Sequence, residues 1–250
     1  MTDELLRKNY EYNQWARGGG ILENCPLGAW QGFAASAPFS FTSPRTARLL
    51  EAFTAYEKDE VIRPLMVDLE QRGIPGDIVE FGVARGYNID LLASVCEEIG
   101  SSRRIFGFDS FEGLPEPAPG RDIPSYRKGQ YAVPLAAALE RVRADERPNI
   151  RLIQGWLADT LKEEPALSIP KIAYARIDVD LYQSTLECLD YLAPRLVDHA
   201  VLVFDEWTYD LETGETRALF EWSRDHPEFR FKFIFSGVVG RFYLRVIRDA

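Results

Sequence analysis

Short, continuous apolar runs alternate with amphipathic stretches along most of the chain. The runs Ile78–Phe81, Arg104–Phe108, Ile150–Ile153, Ile172–Ile177 and Ala200–Phe204 are of strand length and carry little internal polar alternation. Such runs predict strands buried on both faces. Between them, apolar positions at helical spacing predict helices over Val61–Arg72, Tyr87–Ile99, Pro134–Arg143, Ser184–Leu196 and Glu215–His226, with a short helical turn from Asp159 to Glu164. An earlier helix is signalled from Ser43: a serine cap, Pro44 in the first turn, then Leu49, Leu50, Phe53 and Tyr56. Phe229–Phe235 and Arg241–Ile247 predict two further strands joined by SGVVG. Strands alternating with helices predict an α/β fold, a parallel sheet with helices on both faces. Ser110–Gly129, rich in proline and glycine, predicts a long loop. Residues 1–45 are aromatic and glycine-rich without periodicity and predict a lid, an oligomer contact or a strap over the core; residues 46–250 predict one domain.

In an open parallel sheet, ligands bind beyond the carboxyl ends of the strands. Those ends carry Glu80, Asp109, Gly155-Trp156, Asp178 with Asp180, and Asp205-Glu206. Nearly all are acidic. The first strand runs through Glu80 into Gly82-Val83-Ala84-Arg85-Gly86 and a helix. A glycine turn at a helix N-terminus presents free N–H groups to a ligand, and an acid there suits a cofactor carrying a sulfonium or ammonium. Gly82 and Gly86 do not match G-x-G-x-x-G, which weighs against a nicotinamide-dependent oxidoreductase. Asp109 is placed to accept the hydroxyls of an adenosine ribose, or to cap the turn. Trp156 is a candidate for stacking on adenine, or a core residue. Arg85 is a candidate partner for a phosphate or carboxylate.

Asp178, Asp205 and Glu206 form a second group. Three carboxylates on neighbouring strand tips repel one another unless a cation or protons intervene. Oxygen donors without histidine or cysteine favour Mg2+; the alternative is that Asp205 and Glu206 cap the next turn. His199, expected in the turn before the fifth strand, and His226, at a helix end, read as structural. Cys96 and Cys188 read as small core residues in helices.

The bulk numbers narrow the class. A chain of 250 residues with 46% hydrophobic content can bury a full core. A net charge of −10 argues against a general nucleic-acid surface. Three unpaired-looking cysteines point to a reducing, cytoplasmic setting. No run approaches the roughly 20 apolar residues of a membrane span, and the first residues lack the pattern of a secretion signal.

At these motifs the chain resembles the macrocin O-methyltransferase family, enzymes that use S-adenosylmethionine to methylate sugar hydroxyls on antibiotics. The matching stretches are TSPRTARLL, GDIVEFGVARG, FGFDSFEGLPEP, IRLIQGWLADTL, RIDVDLYQSTLECLDYLAPRL and VLVFDEW, in the family's order. The resemblance implies a class I methyltransferase, Rossmann-like fold: a mostly parallel seven-stranded sheet with an antiparallel C-terminal strand. It implies a cofactor site drawn from Thr42, Glu80, Gly82, Val83, Arg85, Gly86, Asp109, Ser110, Phe111, Gly155, Trp156 and Asp178. It implies Mg2+ ligands at Asp178, Asp205 and Glu206, with Asp178 as the base, a small-molecule acceptor such as a glycosylated natural product, and no nucleic-acid or membrane partner. Two positions depart from the family pattern: Glu206 replaces an aspartate, and Val179 replaces a glycine. A metal-independent enzyme and a cofactor-binding protein with a degenerate metal site therefore stand as alternatives.

Overall fold

The computed structural model describes residues 22–23, 55–207, 212–236 and 241–248. Eight strands form one sheet: β1 (Leu22–Glu23), β2 (Asp77–Phe81), β3 (Ile105–Asp109), β4 (Ile150–Gln154), β5 (Ile172–Ile177), β6 (Leu196–Phe204), β7 (Phe229–Ser236) and β8 (Phe242–Arg248). Their order is β1-β7-β8-β6-β5-β2-β3-β4. All pairings are parallel except those of β8, which runs antiparallel to both β6 and β7. The expected seven-stranded sheet with one reversed strand is therefore present, extended by the two-residue β1. The expected Ser43 helix up to residue 54, Thr42, Cys25 and most of residues 1–45 lie outside the described residues.

The helices are α1 (Arg63–Gln71), preceded by a wide turn over Lys58–Ile62, then α2 (Tyr87–Ile99), α3 (Leu135–Val142), α4 (Leu157–Thr160), α5 (Tyr182–Leu192) and α6 (Gly214–Asp225). They divide between the two faces of the sheet. One face packs Leu65, Met66, Ile89, Leu92, Ala138 and Val142 of α1, α2 and α3 on Ile78, Ile105 and Tyr174. The other packs Leu189 and Leu192 of α5, with Leu219 and Trp222 of α6, on Phe81, Phe108 and Phe204. Strands covered on both sides lose their alternation, which is why β2, β3 and β5 read as continuous apolar runs. Cys96 and Cys188 are buried, as expected for small core residues.

One strand starts earlier than its hydrophobic run. β6 begins at Leu196, and His199 lies within it rather than in a preceding turn. The reason is an irregularity: β5 advances from Ile172 to Tyr174 while β6 advances from Leu196 to Val201. His199 takes a φ of 64° there. A bulge of this kind breaks the two-residue period that marks a strand in sequence.

Just past the ends of β2 and β5 the chain is crowded at Gly82. Its φ is +83°, and a Cβ built on it would sit 1.7 Å from the carbonyl oxygen of Asp178. Gly82→Ala is therefore expected to destabilise by about 3 kcal/mol, lowering Tm by roughly 10 °C. Gly100 is the control. Its φ of +70° is similar, yet nothing lies within 4 Å of its would-be Cβ. Gly100→Ala should cost about 1 kcal/mol from backbone strain alone. Equal losses in thermal unfolding would show that crowding between the strand tips is unimportant.

Candidate functional site

The carboxyl ends of β2 to β6 open onto a cavity of about 620 Å3. The β2–α2 turn forms one wall, with Gly82 and Ala84 lining it. Asp109, at the end of β3, holds this turn in place. Its Oδ2 accepts the N–H of Val83 at 2.7 Å and of Ala84 at 2.8 Å, and its Oδ1 accepts that of Phe111 at 2.6 Å. Ala84, with φ 45°, and Phe111, with φ 57°, both sit in left-handed conformations. Asp109 offsets that strain by satisfying their amides. The carboxylate thus caps the turn, one of the two roles set out from the sequence, and also lines the cavity.

Of the expected cofactor residues, Gly82, Asp109, Ser110, Trp156 and Asp178 line the cavity together. Val83 and Phe111 are buried beneath it, and Arg85 is exposed. Gly86 starts α2, and Gly155 turns the chain from β4 toward α4. Glu80 is placed differently from a cavity-facing anchor. It is 2% exposed, accepts a hydrogen bond from Asn88 Nδ2 at 3.1 Å, and lies 3.6 Å from Arg176 Nη1. Burial pushes its carboxyl up to about 7, against the pull of Arg176 and Asn88.

The long Ser110–Gly129 loop is ordered by specific ties. Leu114 exchanges backbone hydrogen bonds with Gln130 and Gly129 at 2.9 and 2.8 Å. Asp122 accepts from the amides of Tyr182 and Ala118, both at 2.7 Å, so it caps α5 and closes its own turn. Arg121 and Arg217 both lie over the Tyr182 ring, at 4.6 and 5.4 Å. The loop thus forms a fixed wall opposite α4 and α5.

At the tips of β5 and β6 the acids gather around an arginine that the sequence reading missed. Arg176, 4% exposed, donates from Nη2 to Asp178 Oδ2 at 2.8 Å and to Asp205 Oδ1 at 2.5 Å. Arg241 donates to the same Asp205 oxygen at 2.8 Å and pairs with Glu57 through its Nη1. Tyr243 completes the chain, donating its hydroxyl to Glu57 at 2.7 Å. A signal for Arg176 existed. It is a lone charge in an otherwise apolar strand, IAYARI, two residues before the first acid; a buried charge must be paired. Glu215 gave no comparable signal, because an acid in the first turn of a helix is ordinary.

The negative charge here exceeds what two guanidiniums balance. Burial, then Asp205, pushes Asp178 well above the usual carboxylate range. Burial, reinforced by Asp205 and Asp180, carries Glu206 up to about 8, and burial carries Asp180 up to about 6. Asp205 alone is held low: Arg176 and Arg241 outweigh its burial. The donor set, hard oxygens with surplus negative charge, fits a divalent cation in charge and type. Asp178 and Glu206 face the cavity, whereas Asp205 is drawn to its two arginines. Among the described residues no group of three or more acids, histidines or cysteines is spaced to hold a metal.

Comparison with known proteins accords with this arrangement. Residues 52–226 match the macrocin O-methyltransferase family. Over 150 residues the chain is 37% identical to a Streptomyces olivaceus 8-demethyl-8-(2,3-dimethoxy-alpha-L-rhamnosyl)-tetracenomycin-C 4'-O-methyltransferase, covering 55% of each chain. Over 160 residues it is 31% identical to the Streptomyces niveus demethyldecarbamoylnovobiocin O-methyltransferase, covering 59% of each. The alignments thus span little more than half the length of these relatives. Among solved structures, the O-methyltransferase NovP superposes with a TM-score of 0.64 at 25% identity, over 76% of this chain and 79% of NovP. The calicheamicin methyltransferase CalS11 superposes with a TM-score of 0.61 at 25% identity, over 98% of this chain and 93% of its own. The fold is that of the class I methyltransferases, and the chain belongs to the macrocin O-methyltransferase family.

Proposed function

We propose that this protein transfers a methyl group from S-adenosylmethionine to a sugar hydroxyl on a natural product. The observation that carries the reading is one cavity that joins the Asp109-pinned turn to the carboxylates at the tips of β5 and β6. In this reading the turn and Asp109 bind the amino-acid and ribose portions of the donor, with Trp156 beside the adenine. The acceptor oxygen attacks the methyl carbon in line with the breaking C–S bond, at about 3 Å. The sulfonium becomes the neutral thioether of S-adenosylhomocysteine, and Asp178 takes the hydroxyl proton. A divalent ion, Mg2+ by donor type, would be held by Asp178 and Glu206. When bound, it supplies a Lewis acid that lowers the pKa of the acceptor hydroxyl.

The acceptor is further defined by charge. The described lining residues include Glu116, Asp159 and Glu187 besides the strand-tip acids, and no lysine, arginine or histidine. A phosphate charge about 7 Å from one carboxylate costs about 2 kcal/mol at an effective dielectric of 20. A neutral glycoside is therefore favoured over a nucleoside-diphosphate sugar. No helix among the described residues is long and apolar enough to cross a membrane.

S-adenosylhomocysteine at a hundred times its Kd should raise Tm by roughly 5–10 °C, corresponding to about 2.7 kcal/mol, and NAD should leave it unchanged. Thymidine diphosphate should add no further shift to the loaded protein at physiological salt. Stabilisation by NAD but not by S-adenosylhomocysteine would reverse the assignment to an oxidoreductase.

A further inference from the structure

We propose that Glu215 is a positioning residue that locks the tips of β5 and β6 into one rigid unit. It lies in the first turn of α6 and is fully buried. Its Oε1 accepts the backbone N–H of Val179 at 2.9 Å and of Asp180 at 3.2 Å. Its Oε2 accepts the N–H of Glu206 at 3.2 Å. One carboxylate therefore spans two strands and holds the residues that immediately follow Asp178 and Asp205. The tie falls where the β5 tip is strained: Asp180 takes a φ of 60°. The same helix start is pressed against that residue, since a Cβ on Gly214 would lie 2.8 Å from the carbonyl oxygen of Asp180. The Gly214 amide also donates to the carbonyl of Arg121 at 2.8 Å, which ties the cavity's loop wall to the same point.

All three contacts require an acceptor, and both oxygens are used. A glutamine of the same shape offers one carbonyl oxygen and one NH2 group, so one of the two tips must face a donor with its own donor. Groups held by such supporting hydrogen bonds lose catalytic geometry with small displacements. The proposal rests on the methyltransferase reading for its catalytic consequence, and on the hydrogen bonds alone for the tie.

The test compares Glu215→Gln with Glu221→Gln on the full chain. Glu221 lies on the same helix but contacts Tyr182 and Arg217, away from the strand tips. Amide hydrogen exchange should accelerate at least tenfold at Val179 or Glu206 in Glu215→Gln and at neither in Glu221→Gln. With p-nitrophenyl α-L-rhamnoside as acceptor, kcat should fall at least tenfold in Glu215→Gln while KM for S-adenosylmethionine stays within threefold. Wild-type exchange rates at both tips would overturn the proposal, as would a loss of kcat equalled in Glu221→Gln. Should Glu215→Gln fail to fold, wild-type exchange decides: the Val179, Asp180 and Glu206 amides must be protected to the level of α6, and free-loop rates overturn the tie. Failure of the wild type to bind S-adenosylhomocysteine would remove the methyltransferase reading and leave the exchange result standing.

Discussion

Asp178→Asn should lower turnover by about a thousandfold while S-adenosylhomocysteine affinity stays within a few-fold. The substitution keeps the shape and removes the proton acceptor, and a positioned base contributes on the order of 10²–10⁴ in rate. Asp178 lines the cavity and its side chain is 29% exposed, so a substrate hydroxyl can reach it. Its bond from Arg176 persists through the amide oxygen, which keeps the strand tip in place. Calorimetry with S-adenosylhomocysteine separates the two effects, because binding reports the intact cavity and turnover the lost base. Turnover within tenfold of wild type would move the base elsewhere, with Glu206 next in line. Calorimetry with Mg2+ should show weaker uptake in the same variant if Asp178 also holds the ion.

Arg176→Gln is expected to have the largest effect on stability. Its guanidinium touches carboxylates of three adjacent strands: Glu80 of β2, Asp178 after β5 and Asp205 after β6. Removing one partner from a buried ion pair costs about 3–5 kcal/mol, because the remaining charge is left uncompensated. In a chain of this size that corresponds to a Tm roughly 10–15 °C lower. Here the freed acids also repel one another, so part of the loss should be recovered by Mg2+ if the cation takes over the guanidinium's charge. Thermal unfolding with and without Mg2+ measures both. A loss of less than 1 kcal/mol would mean that Arg241 alone holds Asp205, to which it donates at 2.8 Å.

The arrangement of elements was legible because burial on both faces erases polar alternation, and β2, β3 and β5 stand out as apolar runs. The rim of the cavity was legible for a different reason: chain topology places the carboxyl end of every parallel strand on one side. What sequence could not convey was the direction of each side chain. Glu80 and Asp178 both lie at strand ends and both pair with Arg176, yet Glu80 is buried and Asp178 also lines the cavity. Asp205 and Glu206 are neighbours just past the end of β6, and one meets the arginines while the other lines the opening. Glu215 was invisible because its role depends on backbone amides 36 and 9 residues away, which no local pattern records. Thr42 and the aromatic N-terminal stretch lie outside the described residues.

The sheet is completed out of chain order. Among the described residues, β7 reaches β6 only through β8, which is inserted between them. While the chain is being synthesised, the Phe229–Ser236 hairpin arm therefore emerges before its docking partner exists. Its edge toward β6 is closed only once Phe242–Arg248 has been made. A translational pause or a premature stop between these two segments would leave both β6 and β7 with open edges, a template for pairing with other chains. The strands whose carboxyl ends frame the cavity, by contrast, are all made before β7.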